Sequence, residues 1–168
     1  MAESHEWYLV RHAIAVERGP DWPDDDQRPL TRDGARRFAD VVRALRSARV
    51  GIDVVLTSPL VRAHETADLL RTGLPVRRRL QELSELRPGT PPEVVVRRVL
   101  RLGAGRRLAL VGHEPDLGQL AAWLIGANRP LPFKKGGACR IDGTREELSR
   151  SRGTLVWFSQ PRLLLPRR

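Results

Sequence analysis

Two histidines and two arginines stand where apolar runs give way to polar ones. Trp7-Tyr8-Leu9-Val10 ends in Arg11-His12-Ala13, and Leu108-Ala109-Leu110-Val111 ends in Gly112-His113. Between them, Asp53-Val54-Val55-Leu56-Thr57 stops at Ser58-Pro59, with Arg62 close behind. An arginine fork matches phosphate oxygens in two-point fashion. A neutral imidazole nitrogen can attack phosphorus, and neighbouring cations favour that neutral form by lowering its pKa. The same cations then stabilise charge spread over the equatorial oxygens as the phosphoryl group passes in line. The residue types point to phosphoryl chemistry at a dianion pocket, provided that distant segments meet.

The elements that must bring them together follow from periodicity. The three apolar runs are short, β-branched or aliphatic, and read as buried strands. Residues 14 to 30, with Gly19-Pro20, Pro23, three successive aspartates and Pro29, form a loop. Thr31 caps a helix in which Ala35, Phe38, Ala39, Val42 and Leu45 recur at helical spacing, ending near 49 to 51. Ser58 is placed as the N-cap and Pro59 as the first residue of a helix over about 60 to 71. Residues 75 to 80 read as an edge strand, 81 to 91 as a loop, and Pro91-Pro92-Glu93 as the start of a helix through Leu102 that Gly103 and Gly105 end. Glu114-Pro115-Asp116 opens a further helix with Leu117, Leu120, Ala121, Leu124 and Ile125 as its apolar stripe. Residues 130 to 137 form a loop, and strands near 138 to 142 and 153 to 159 pair as a hairpin. Strands alternating with helices predict a mostly parallel sheet covered on both faces, with the three reactive junctions along one edge. Two helix N-termini there add partial positive charge.

Composition narrows the classes. A chain of 168 residues, 40% hydrophobic, suits a single domain, 1–168, with a substantial core. Its one cysteine, Cys139, allows no internal disulfide. No basic start followed by an apolar core opens the chain, and no apolar run is long enough to cross a bilayer, so a soluble, cytoplasmic protein is expected. A net charge of +10 calls for an anionic partner. The arginine pairs are scattered, however, and Trp22, Trp123 and Trp157 read as core or rim aromatics, so nucleic acid is not the expected ligand. There is no Gly-x-x-x-x-Gly-Lys-Ser/Thr loop, no Gly-x-Gly-x-x-Gly fingerprint and no metal-ligand spacing, so no cofactor and no metal are expected. Asp24, Asp25 and Asp26 diverge as consecutive side chains and lack a second ligand group. Lys134-Lys135 and Arg77 to Arg79 read as solvated charge, His5 as part of a frayed terminus, and His64 as helix surface or pocket rim.

Taken jointly, Leu9-Val10-Arg11-His12-Ala13, Arg28-Pro29-Leu30-Thr31-x-x-Gly34, Ser58-Pro59-x-x-Arg62-Ala63-x-x-Thr66-Ala67 and Leu110-Val111-Gly112-His113-x-Pro115 resemble the histidine phosphatase superfamily, and within it the small SixA-type phosphohistidine phosphatases. The resemblance implies a phosphoglycerate mutase-like α/β/α sandwich with a mostly parallel central sheet. It implies that His12 is the nucleophile and that Arg11, Arg62 and His113 hold the phosphoryl group. Arg28 matches a position that can approach the same pocket, Ser58 belongs to the third motif, and Glu85 falls near the acid with which larger members protonate an alcohol leaving group. Ala13 stands where many relatives carry glycine, and the longer insertion around the acid is missing. The implied substrate is a phosphohistidine on a signalling or phosphotransfer protein, a histidine phosphotransfer domain among them. An imidazole leaves more readily than an alkoxide and needs little general-acid help, which makes the short segment around Glu85 tolerable. Two alternatives stay open: a phosphatase of small phosphate monoesters or sugar phosphates, and a basic module that binds phosphoproteins or nucleic acid without turnover.

Overall fold

The computed structural model describes residues 3–76 and 80–165. Its strands are β1 (Ser4–Arg11), β2 (Val54–Thr57), β3 (Gln81–Glu82), β4 (Arg107–Gly112), β5 (Ala138–Thr144) and β6 (Thr154–Ser159). Its helices are α1 (Arg32–Ser47), α2 (Val61–Gly73), α3 (Pro92–Leu102), α4 (Asp116–Ile125), α5 (Arg145–Ser149) and α6 (Pro161–Leu164). The strands form one sheet in the order β3-β2-β4-β1-β5-β6. Pairing is parallel from β3 through β1, and β5 runs antiparallel to both its neighbours.

Side chains alternate across the central strands and so feed two cores. Trp7, Leu9, Leu56, Leu108 and Leu110 pack with Val95, Val96 and Val99 of α3 and Leu117, Leu120 and Leu124 of α4. Tyr8, Val10, Val55, Ala109 and Val111 pack with Phe38, Val41 and Val42 of α1 and Ala63, Ala67 and Leu70 of α2. The result is the expected three-layer α/β/α sandwich. No helix among the described residues is long and apolar enough to cross a membrane.

Register carries the site. Arg11 lies opposite Gly112, and the ladder continues one step further as the His12 N–H donates to the Gly112 carbonyl at 3.0 Å. Thr57 lies opposite Val111, and the Ser58 N–H donates to the Val111 carbonyl at 3.0 Å. His12, Ser58 and His113 therefore leave three adjacent strands at one level.

The second motif has a backbone explanation. Thr31 caps α1 by accepting from the Gly34 N–H at 2.9 Å, while its own N–H donates to the Ile14 carbonyl at 2.9 Å. A Cβ on Gly34 would lie 2.2 Å from that Ile14 oxygen. Only glycine lets the first turn of α1 approach the segment that follows His12 so closely.

Several boundaries differ from expectation. α2 starts at Val61, with Leu60 as its cap residue, so Ser58 is not the N-cap and Pro59 is not the first helical residue. Ser58 has another partner, described below. Of the edge strand expected over 75 to 80, residues 77 to 79 lie outside the described residues. Val76 makes an isolated bridge to Ile52, and the strand proper is Gln81–Glu82, within the expected loop. β5 and β6 do pair antiparallel, but α5 occupies their connection, held by a capping box between Thr144 and Glu147. His5 is not frayed: it lies inside β1 and is buried.

Candidate active site

His12 is buried, and its Nδ1 lies 2.7 Å from the Ala13 carbonyl oxygen. Since a carbonyl only accepts, Nδ1 carries the hydrogen and Nε2 keeps its lone pair. Burial, followed by the charges of Arg62, Arg11 and Lys135, pushes the His12 pKa down from 6.5 to about 4, although the Ala13 hydrogen bond acts the other way. The ring is neutral at pH 7, with Nε2 unprotonated.

His113 faces it, with ring centroids 5.2 Å apart. Its Nε2 lies 2.8 Å from the Ser58 hydroxyl, which also accepts the Leu60 N–H at 3.3 Å. Nε2 is the one acceptor left for the Ser58 O–H among the described residues, so the hydroxyl donates and the His113 hydrogen sits on Nδ1. Burial, then the charges of His12, Arg62 and Arg11, push the His113 pKa down to about 3. Both imidazoles are neutral, and each has its tautomer set by a neighbour.

Arg62 is buried on α2, with Nη1 donating to the Asp25 carbonyl at 2.7 Å and Nη2 to the Asp25 carboxylate at 2.9 Å. Arg11 donates from Nη1 to the Phe133 carbonyl at 2.7 Å. Five buried side-chain polar atoms have no hydrogen-bond partner among the described residues, Trp7 Nε1 and Glu114 Oε1 among them; the other three, Arg11 Nε, Arg62 Nε and His113 Nδ1, belong to the site. All three are donors, and the charges of both arginines act on both imidazoles. Buried unpaired donors are costly, so a cluster of them marks a place built for an acceptor-rich group. No group of metal-ligating side chains is present among the described residues.

Matched features lie well beyond the site. A family model described as "Histidine phosphatase superfamily (branch 1)" matches residues 7–91. An uncharacterized protein of Picosynechococcus sp. is 32% identical over 170 residues, covering 96% of this chain and 99% of its own. The chain belongs to the histidine phosphatase superfamily. That membership supports phosphatase activity, and the sandwich is the phosphoglycerate mutase-like fold. An uncharacterized protein of Mycobacterium tuberculosis is 34% identical, covering 91% of this chain and all of its own length. Among solved structures, the protein histidine phosphatase SixA complexed with tungstate superposes with a TM-score of 0.84 at 24% identity, covering 95% of this chain and 99% of that one.

Within this superfamily member the other expected residues take different places. Arg28 is buried but does not enter the cluster. Its Nε donates to the Asp25 carboxylate at 2.9 Å and its Nη1 to the Val16 carbonyl at 2.6 Å, so it meets Arg62 only through Asp25. Glu85 lines a small cavity with Gly112 and His113, yet its carboxylate faces Arg98 Nε at 3.3 Å and accepts the Ser84 hydroxyl at 3.0 Å. It is engaged with α3.

Four residues given no role by sequence reasoning support the cluster. Asp25 grips Arg62 and Arg28 together. Partial burial acts to raise its pKa, but the Arg28 hydrogen bond and the charges of Arg62, Arg28 and Arg18 outweigh this and hold the carboxyl below its ordinary range. The Thr66 hydroxyl accepts the Ala13 N–H at 3.0 Å and donates to the Arg62 carbonyl at 2.7 Å, tying the end of β1 to α2. Lys135 is exposed, as expected of solvated charge, but Gly136 (φ +77°) turns its loop back so that the Gly136 N–H reaches the Arg11 and His12 carbonyls. The Lys135 charge is thereby brought to bear on His12. Glu114, half-buried at the head of α4, acts on Arg11 through its charge, and burial raises its own pKa.

Two buried neutral histidines make stability depend on acid. Unfolded, each binds a proton as pH falls through 6.5, while in the folded state His12 stays neutral down to about 4. Stability is therefore full above pH 6.5 and is lost as pH falls, at about 1.4 kcal/mol per pH unit for each such histidine. Buried His5 is lowered in the same direction. Asp25 and Asp53, whose pKa values are lowered from 3.8, add their losses only below that range. Chemical denaturation at pH 7, 6, 5 and 4.5 is expected to show this slope, and a His12→Asn variant a shallower one; a flat profile would refute the neutral pair.

Proposed function

We propose that this chain is a phosphatase that hydrolyses phosphohistidine on a signalling or phosphotransfer protein through a covalent intermediate on His12. The observation that carries the reading is a lone pair on His12 Nε2 beside three buried, unpaired donors. In the first step Nε2 attacks phosphorus, the substrate P–N bond breaks, and a substrate imidazole protonated at its far nitrogen leaves neutral. Arg11, Arg62 and His113 Nδ1–H hold the phosphoryl oxygens throughout. The phosphorylated His12 ring is an imidazolium whose Nδ1–H points at the Ala13 carbonyl, which stabilises that charge. In the second step water attacks phosphorus, the new P–N bond breaks, and His12 returns neutral as inorganic phosphate departs.

Phosphohistidine is favoured over an ester because Glu85 is occupied by Arg98 and Ser84. Protonation of an alkoxide by a positioned acid contributes about 10²–10⁴-fold, and an imidazole leaving group needs little of it. The likeness to SixA points the same way, while the fold is also that of an Entamoeba histolytica phosphoserine phosphatase (TM-score 0.67, 14% identity). Phosphohistidine and phosphoserine, an alkyl phosphate monoester whose alkoxide leaving group needs a proton, assayed in parallel test the reading. The expected result is a kcat/KM at least about 100-fold higher for phosphohistidine, unchanged by Glu85→Gln. Comparable ester turnover that collapses in Glu85→Gln would favour the monoester alternative, where Glu85, on the cavity wall shared with His113, is the acid.

Ser58 enters as a positioning residue. Without its hydroxyl, His113 Nε2 is buried unpaired and the Nδ1–H tautomer loses its support, a cost of about 1–3 kcal/mol. Ser58→Ala is expected to lower kcat/KM roughly tenfold to a hundredfold, as those energies imply. Steady-state kinetics at pH 7 read the loss, and proton-detected NMR of the His113 ring reads the change of tautomer.

A further inference from the structure

An open cavity of about 830 Å³ begins at Arg11 and Ala13, at the rim of the catalytic cluster, and runs between α1 and α6. Phe38 and Val41 form an apolar floor, with the exposed side chain of Leu163 at the far lip. Arg37, Lys134, Lys135 and Arg162 line its sides, and no carboxylate lines it among the described residues. None of the four cations is ion-paired among the described residues, whereas Arg36 and Arg43 on the same helix α1 each pair with an aspartate three residues earlier. A groove with unopposed positive walls and an apolar floor is complementary to an acidic chain carrying apolar side chains.

We infer that this groove docks the acidic, apolar-bearing segment that flanks the phosphorylated histidine of a protein substrate. The inference rests on the phosphohistidine reading above and adds the chemistry of the partner to it. The catalytic end takes the phosphoryl group and its imidazole, and the groove takes the neighbouring side chains. Specificity for a protein over a free phosphorylated metabolite then comes from α1 and α6.

Docking is tested apart from chemistry by calorimetric titration with two unphosphorylated peptides, a central histidine flanked by Glu and Leu in one and by Lys and Leu in the other. The acidic peptide is expected to bind wild-type protein at least about tenfold tighter, and an Arg37→Glu/Arg162→Glu variant to lose that margin. With the phosphorylated forms, the variant is expected to raise KM for the acidic peptide about tenfold, leaving its kcat and the turnover of free phosphohistidine unchanged. Equal binding of the two peptides, an unchanged KM in the variant, or tighter binding of a single-stranded oligonucleotide than of the acidic peptide would overturn the inference. If the acidic peptide binds as expected while p-nitrophenyl phosphate is hydrolysed and neither phosphopeptide is, the docking surface stands and the phosphohistidine reading fails.

Discussion

A His12→Ala variant is expected to lose on the order of 10⁴-fold or more in turnover of phosphohistidine, because the covalent step has no other acceptor for the phosphoryl group. His113 cannot substitute, since its Nε2 is committed to the Ser58 hydroxyl and its Nδ1 carries a hydrogen. Binding should survive better than chemistry. Arg11, Arg62 and His113 remain, so affinity for inorganic phosphate, measured by calorimetry, is expected to stay within about tenfold of wild type, as for loss of a group whose interaction is made mainly in the transition state. Brief incubation with radiolabelled substrate and quenching in alkali should leave label on the wild-type chain and none on the variant. Undiminished activity of the variant toward both phosphohistidine and p-nitrophenyl phosphate would end the mechanism.

What could be read without coordinates was what nearest neighbours along the chain determine. Strands buried on both faces are nearly continuous apolar runs, so Trp7 to Val10 and Leu108 to Val111 declared themselves, and with them the positions of His12 and His113 at strand ends. α1 was legible from its period and from Thr31. The supports of the site were not legible, because each is a contact between segments far apart in sequence. The Thr66 hydroxyl meets a backbone 53 residues away, and Asp25 meets Arg62 across 37 residues. Asp25 sits in a run of three aspartates within an aperiodic loop, where nothing local distinguishes the one that turns inward. A serine followed by proline predicts helix capping, and the structure gives the Ser58 hydroxyl to an imidazole instead. Lys135 has the type of ordinary surface charge, and it is a turn at Gly136, not that type, that lets its charge act on His12.

Asp25 makes the second large effect a matter of two residues. Arg62→Ala is expected to lower kcat/KM about 10²–10³-fold, the scale on which loss of one preorganised donor to transition-state charge is felt. Part of that loss comes from the carboxylate left behind. In the wild type Arg62 Nη2 neutralises Asp25 at 2.9 Å, and Arg28 and Arg18 share the same carboxylate. With Arg62 gone, a half-buried negative charge stands next to the site of a dianion. Asp25→Asn alone should cost less, about tenfold, since it keeps the Asp25 carbonyl bond to Nη1 while weakening the charge-assisted contacts of the carboxylate to Arg62, Arg28 and Arg18. Residues in contact do not act additively. The double variant Arg62→Ala/Asp25→Asn is therefore expected to be more active than Arg62→Ala, because neutralising Asp25 removes a repulsion that Arg28 and Arg18 alone screen only in part. Arg62→Lys should not rescue, as an ammonium cannot hold the Asp25 carbonyl and carboxylate in a planar fork while presenting a further N–H to the phosphoryl group. Strict additivity of the two single changes in kcat/KM, with phosphohistidine as substrate, would show that Asp25 only anchors its loop and leaves Arg62 to act alone.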